Sequence, residues 1–127
     1  MTVHAYQAVK RVSTVEGSSP HELICILYDA ALSQIAMAQQ HIDHKNYQHL
    51  FLCADKAVAI VQELQGSLKD YRTNEIAGNL FELYTFIIKT LIESKTSSNK
   101  EGFATCTELL EILRDSWQSI ATEKMAA

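Results

Sequence analysis

The chain has 127 residues, a mass of 14.3 kDa and a formal net charge of −4 at pH 7. It contains only four glycines and one proline, which argues against a turn-rich β-sandwich or barrel. The acidic balance without a basic run argues against nucleic acid or an anionic membrane as a partner. We expect no membrane-spanning helix and no secretory signal, and the widely spaced Cys25, Cys53 and Cys106 fit reduced thiols in a cytosolic protein.

The N-terminal segment, residues 1–18, carries a weak apolar stripe and is too short to be stable as an isolated helix. We expect this segment to be ordered only where it docks on the rest of the chain, as a short capping segment. The stripe consists of Val3, Tyr6 and Val9.

Four helices are predicted after this segment, because apolar residues recur there in steps of three and four. Ser19 with Glu22 is typical of a capping box at the start of helix 1, and Ser98 with Glu101 is typical of one at the start of helix 4. Thr73 is the predicted N-cap of helix 3. The expected bounds of the four helices are about 20–44, 46–69, 74–95 and 99–122.

Each predicted helix has one apolar seam that would face a shared core. The seam of helix 1 is Ile24, Leu27, Tyr28, Ala31, Ile35, Ala38 and Ile42. The seam of helix 2 is Tyr47, Leu50, Ala54, Ala57, Val58, Val61, Leu64 and Leu68. The seam of helix 3 is Ile76, Leu80, Leu83, Tyr84, Ile87 and Leu91, and that of helix 4 is Phe103, Cys106, Leu110, Leu113, Trp117 and Ile120. Long helices joined by short connections predict an all-α, antiparallel up-down-up-down four-helix bundle forming one domain over residues 1–127.

The residues needed for the familiar chemistry of such bundles are missing from the sequence. A di-iron site requires Glu-x-x-His motifs, and no glutamate in the chain is followed three positions later by a histidine. There is no Gly-x-Ser-x-Gly elbow, and the few glycines cannot build a phosphate-binding loop. We therefore expect neither enzymatic activity nor a cofactor.

Three histidines cluster at the turn between helices 1 and 2: His41, His44 and His49, with Cys53 four residues after His49. They are compatible with a metal site that uses His49 and Cys53, or with histidines that cap the negative end of helix 1. Because no set of four ligands has a familiar spacing, we predict no metal site.

Helices 1 to 3 carry a second apolar stripe beside the seam. Such a stripe either widens the core face or leaves a surface groove in which an amphipathic partner helix lies. Periodicity does not decide whether Tyr28 and Tyr84 are core rings or groove walls. The second stripes contain Leu23 and Ile26 in helix 1, Phe51 and Ile60 in helix 2, and Phe81, Ile88 and Ile92 in helix 3.

The order of motifs along the chain resembles that of the FliS family of flagellin-specific export chaperones. The resemblance begins with a tyrosine-bearing segment and a Ser-Pro helix start, continues through a Leu-Tyr-Asp motif, and includes signatures in helices 3 and 4. Ala30 stands where the family usually has glycine. The matching residues are Tyr6, Ser19, Pro20, Leu23, Ile24, Leu27, Tyr28, Asp29, Ala31, Glu75, Ile76, Ala77, Asn79, Leu80, Leu83, Tyr84, Leu110, Leu113 and Trp117.

The resemblance implies a helical bundle in the bacterial cytoplasm that binds the disordered C-terminal region of flagellin. Such a protein prevents premature polymerisation and assists delivery of flagellin to the flagellar type III export apparatus. The resemblance also implies an N-terminal segment that competes with flagellin for a groove, and an export-gate component and other flagellar regulators as further partners.

Together with the second stripes, the resemblance predicts a set of partner-binding residues. These are Val3, Tyr6, Val9, Leu23, Leu27, Tyr28, Phe51, Leu80, Phe81, Tyr84 and Ile88. We expect the free chain to be a monomer or a weak homodimer. The alternative is a structural bundle that associates with itself and has no flagellin client.

Overall fold

The computed structural model describes the backbone of residues 20–126 and the side chains of residues 20–119. Within this range the chain forms helices and no strands, which confirms the predicted all-α fold. The helices are α1 (Pro20–Asp43), α2 (Tyr47–Gly66), α3 (Glu75–Ser97) and α4 (Lys100–Ala126). Residues 1–18, the predicted capping segment, lie outside the described residues.

Helix α3 begins one residue later than the sequence pattern indicates. The side-chain oxygen of Asn74 accepts a hydrogen bond from the backbone N–H of Ala77 at 3.0 Å, so Asn74 is the N-cap. The prediction of Thr73 as the cap was wrong, because its hydroxyl donates to the carbonyl of Asp70 instead. Ser19, the predicted cap of helix 1, lies outside the described residues.

The connection between α3 and α4 is only two residues long and reverses the chain. Ser98 has a left-handed backbone, with φ of 52°, and forms the C-cap of α3, which makes its prediction as an N-cap wrong. Asn99 takes the capping role for α4, since its side-chain oxygen accepts from the N–H of Glu101 at 3.0 Å. One short turn therefore ends one helix and starts the next.

Contacts at both ends of the molecule show that α1 and α4 are antiparallel. Near the start of α1, the indole N–H of Trp117 donates to the carbonyl of His21 at 3.1 Å. Near its end, the ammonium of Lys100 binds the Asp43 carboxylate at 2.8 Å. Each helix also packs on its neighbours in sequence, so the described helices form a closed ring, as the up-down-up-down prediction requires.

The middle of each predicted seam is buried in the core, as expected from periodicity. The buried apolar residues are Leu27, Tyr28, Ala31, Ile35, Ala38, Leu50, Cys53, Ala54, Ala57, Ala59, Ile60, Val61, Leu64, Tyr84, Ile87, Leu91, Phe103, Cys106 and Leu110. Leu113 and Trp117 continue the α4 seam as partly buried residues packed against this core. The side chain of Ile120 lies outside the described residues.

Two assignments based on periodicity were wrong. Tyr47 and Ile76, both placed on seams, are 51% and 80% exposed. Both lie in the first turn of a helix, where the helical period continues but the neighbouring helices need not cover the side chain. For Ile60, on the second stripe of helix 2, the structure decides between the two alternatives, because this side chain is buried in the core. The core face of α2 is therefore wider than a single seam.

Helices α3 and α4 pack closely against each other at a glycine. A Cβ atom built on Gly102 would lie 1.9 Å from the hydroxyl oxygen of Ser94, which is itself buried. No side chain fits that space without moving Ser94, so the present packing of the two helices near their shared turn depends on glycine here.

Candidate partner-binding surface

Polar contacts fix how α2 and α3 lie against each other. The amide N–H₂ of Gln65 donates to the carbonyl of Phe81 at 2.9 Å and to the hydroxyl of Thr85 at 2.7 Å. Toward the other end, the ammonium of Lys95 binds the carboxylate of Asp55 at 2.9 Å. These contacts establish an antiparallel register along the outer side of the α2–α3 pair.

Apolar residues lie along this same side of the two helices. Positions seven apart share a helix face, which places Phe51 and Val58 in line with Gln65 on α2. We name the apolar set the α2–α3 strip, and it consists of Phe51, Val58, Phe81, Ile88 and Ile92. Phe51 and Ile92 are 45% and 44% exposed, whereas the other three are partly buried. The strip is thus an apolar surface that is most exposed at the end that carries Phe51 and Ile92.

A cleft of about 800 Å³ lies at the other end of the α2–α3 strip, between α3 and the segment that leads into it. The rings of Tyr71 and Phe81 are stacked there, with centroids 4.1 Å apart and planes 7° from parallel. We name it the α3 cleft. Its lining is Tyr71, Arg72, Thr73, Asn74, Glu75, Gly78, Asn79, Phe81, Glu82, Thr85, Phe86 and Lys89.

A smaller cleft of about 490 Å³ lies between the start of α1 and the end of α2. Two predicted partner-binding residues, Leu23 and Leu27, line it. Leu23 is partly buried, and Leu27 is buried at its floor. The lining is Pro20, Leu23, Ile24, Leu27, Gln62, Glu63, Gly66 and Ser67.

The predicted residues thus fall into separate environments. Phe51, Phe81 and Ile88 lie together on the α2–α3 strip, and Leu23 and Leu27 line the smaller cleft. The side chains of the remaining described ones point to the core: Leu80 is partly buried against it, and Tyr28 and Tyr84 are fully within it. Val3, Tyr6 and Val9 lie outside the described residues.

Tyr28 and Tyr84 meet in the core across the diagonal of the bundle. Their hydroxyl oxygens are 2.5 Å apart and share a hydrogen bond, although no Cα atoms of α1 and α3 come within 8 Å of each other in the described range. Burial raises the pKa of both phenols, and for Tyr84 the neighbouring Tyr28 raises it further. Both tyrosines are therefore core rings whose polar ends satisfy each other.

Sequence reasoning missed several exposed apolar residues. Phe86 is 50% exposed in the α3 cleft, and Ile112 is 61% exposed on α4. Leu52, beside Phe51, is also exposed. Each lies at a position that the helical period assigns to solvent. A large apolar residue at such a position is the sequence feature that would have identified them.

The histidine and cysteine side chains within residues 20–119 are spread over the surface and the core. Among residues 20–119, no three His, Cys, Asp or Glu side chains lie close enough together to hold a metal ion. The rings of His41 and His49 are 5.3 Å apart, and His49 is hydrogen-bonded to Asn46. Burial raises the pKa of the Cys106 thiol to about 12, so this thiol is a packed core group.

None of the helices within residues 20–126 combines the length and the apolarity that crossing a membrane requires.

The sequence of the chain matches the family described as flagellar protein FliS over residues 2–124. The chain belongs to the FliS family. The resemblance seen in its motifs is thereby confirmed over almost the whole length. The family match supports a chaperone role in flagellar export and a flagellar client protein as the partner.

Curated relatives from three bacteria have similar sequences over nearly their full length. The flagellar secretion chaperone FliSB of Pseudomonas aeruginosa is 29% identical over 116 residues, covering 91% of this chain and 92% of that protein. The flagellar secretion chaperone FliS of Salmonella typhimurium is 28% identical over 120 residues, covering 94% of this chain and 89% of that protein. The flagellar secretion chaperone FliS of Bacillus subtilis is 26% identical over 113 residues, covering 88% of this chain and 84% of that protein.

Proposed function

We propose that this FliS-family chain is a cytoplasmic export chaperone that binds the disordered C-terminal region of flagellin. By holding that region it prevents premature polymerisation and assists delivery to the flagellar type III export apparatus. The observation that carries the proposal is the family match over residues 2–124. A protein that meets flagellin before export works where flagellin is made, which is the cytoplasm. Its action is binding, and no catalytic step is needed.

The physical demand of this task fits the surface of the bundle. A disordered segment that folds on binding buries about 1,000–3,000 Å² and loses several kcal/mol to ordering, so its partner must offer extended apolar area. The α2–α3 strip and the two clefts provide apolar area of this kind on the surface of the bundle. Holding the segments through which flagellin self-associates then suppresses polymerisation by mass action.

Within this proposal, the strip and the smaller cleft contact flagellin directly, through Phe51, Phe81, Ile88 and Leu23. Leu27, Leu80, Tyr28 and Tyr84 support that surface from below, because their side chains are buried or packed on the core. Residues 1–18 compete with flagellin for a groove, and their stripe makes the contact. That stripe consists of Val3, Tyr6 and Val9.

Co-purification with two forms of flagellin tests the proposal. Intact flagellin should be retained by the chaperone, and flagellin lacking its C-terminal region should not. Equal retention of both forms would contradict binding through the C-terminal region. Association of the chain only with itself, measured as a mass that rises with concentration, would favour the self-associating bundle.

A matched pair of variants tests the location of the binding surface. Phe51→Asp places a charge on the α2–α3 strip and should weaken flagellin binding about tenfold or more. Ile112→Asp makes the same change at a more exposed position on α4 and should leave the affinity within about twofold. Circular dichroism should show unchanged helix content in both. Equal losses in the two variants would contradict the strip as the site.

Deletion of residues 2–17 tests the competing segment. If the segment occupies a groove in the free protein, the truncated chain should bind flagellin more tightly while its helix content stays the same. A truncated chain that unfolds would show instead that the segment is part of the fold.

A further inference from the structure

The segment between α2 and α3 contains a tight turn closed by backbone hydrogen bonds. Asp70 has a left-handed backbone, with φ of 58°, which is uncommon for a residue other than glycine. Its carbonyl accepts hydrogen bonds from the N–H groups of Thr73 at 3.1 Å and Asn74 at 2.8 Å. The resulting turn directs the next residue, Tyr71, toward α3.

The backbone of Tyr71 rests directly on α3 at a glycine. A Cβ atom built on Gly78 would lie 2.9 Å from the carbonyl oxygen of Tyr71, closer than real Cβ contacts allow. Glycine within a helix is less stable than alanine, so a glycine at this position needs a structural reason. Its presence here is explained by the space that the Tyr71 backbone needs.

The ring of Tyr71 is in contact with two neighbouring side chains. It stacks on Phe81, and the guanidinium of Arg72 lies over it, 5.6 Å from the ring centroid. Tyr71 makes a backbone contact and two ring contacts at the end of a tight turn. A side chain with this many contacts forms a permanent wall of the cleft, whereas a side chain that moves aside on binding would make few contacts. Tyr71 therefore extends the aromatic surface of Phe81 into the α3 cleft.

The rim of the α3 cleft indicates what kind of partner fits there. Charged side chains of both signs surround the aromatic wall and form no ion pair within residues 20–119: Arg72, Glu75, Glu82 and Lys89. By contrast, Lys95 near the other end of the strip is already paired with Asp55. Charges of both signs around an apolar floor suit an amphipathic segment with one large apolar side chain and flanking charges of both signs.

We propose that the α3 cleft is a binding subsite in which Tyr71 and Phe81 receive a large apolar or aromatic side chain of the flagellin C-terminal region. This inference rests on the proposed function. The loop between α2 and α3 thus belongs to the client-binding surface, and Tyr71 is a specificity-determining residue although it lies outside the four helices.

Two kinds of variant test the subsite by different routes. Tyr71→Ala removes the wall, and Gly78→Ala displaces the loop that carries it without removing a side chain. Both should weaken binding of a fluorescently labelled peptide of the flagellin C-terminal region about tenfold, measured by anisotropy. Tyr71→Phe keeps the stacked ring and should bind within about twofold of the original chain. Helix content and melting temperature, measured in parallel, identify a variant that fails to fold.

The outcomes separate failure of the subsite from failure of the proposed function. If the unaltered chain does not bind the peptide, the proposed function is wrong. If the unaltered chain binds and Tyr71→Ala binds equally well, the subsite is wrong and the function stands. Tighter binding by Tyr71→Ala would show that Tyr71 is a displaceable cover, which also overturns the proposal. Because alanine favours helix more than glycine does, weaker binding by Gly78→Ala cannot be assigned to a loss of helix in α3.

Discussion

Tyr84→Phe removes one of the two hydroxyl groups that meet across the core, 2.5 Å apart. Both rings are buried, so no bulk water replaces the lost partner of the Tyr28 hydroxyl. The shape of the ring is otherwise unchanged, which makes the cavity term small. A buried polar group left without its partner costs about 1–3 kcal/mol, and we expect the free energy of unfolding to fall by that amount.

The double variant carries the sharper prediction. Tyr28→Phe alone should cost as much as Tyr84→Phe, for the same reason. When both hydroxyls are replaced, no unpaired group remains, and two apolar rings of the same shape are close to neutral in stability. The double variant should therefore lose less stability than either single variant, and far less than the sum of the two single losses.

Denaturant unfolding of the original chain, both single variants and the double variant measures this coupling. Circular dichroism reports helix content, and Trp117, the single tryptophan, reports the α1–α4 packing by fluorescence. Tyr47→Phe is the control, because it removes the same hydroxyl from an exposed ring and should change stability by less than about 0.5 kcal/mol. Strictly additive losses from Tyr28→Phe and Tyr84→Phe would refute the pairing of the two hydroxyls.

Further predictions concern the packing and ionisation of the core. Leu110→Ala should lower the free energy of unfolding by about 2–5 kcal/mol. Leu113→Ala should lower it by less, because that side chain is partly exposed. An unchanged melting temperature in both variants would contradict the α4 seam. Gly102→Ala should cost about 1–3 kcal/mol, and adding Ser94→Ala should recover part of it in thermal unfolding. The pKa of Cys106 is raised from 9.0 to about 12, so the unfolded chain loses this proton first. Stability should then fall with pH above about 9, by up to about 1.4 kcal/mol per pH unit from this thiol, and Cys106→Ala should remove its share of the slope.

Apolar periodicity was sufficient to predict the helices and the centre of the core. Ala31, Ile35, Leu91 and Leu110 lie on predicted seams, and all four are fully buried. A long bundle helix has one side toward the core, so steps of three and four identify that side before its neighbours are known. The sequence also indicated the family, because the motifs occur in the same order along nearly the whole chain.

Features at the helix ends depended on contacts that periodicity does not report. Ile76 and Tyr47 continue their seams in sequence, but they are exposed at the starts of α3 and α2. Ser98 has the side chain of an N-cap, yet a left-handed backbone at the end of α3 leaves that role to Asn99. A side chain at a helix end is buried only where a neighbouring helix extends to the same level. Which residue caps the helix depends on the backbone conformation of the connecting turn.

The candidate surface was likewise predictable only in part. The second stripes identified Phe51, Phe81 and Ile88, because a helix with more apolar surface than one seam requires must place the excess beside it. They did not identify Tyr71, whose ring reaches Phe81 through the left-handed turn at Asp70. A turn has no hydrophobic period, so only the tertiary structure, which brings this loop against α3, decided that Tyr71 lines the cleft.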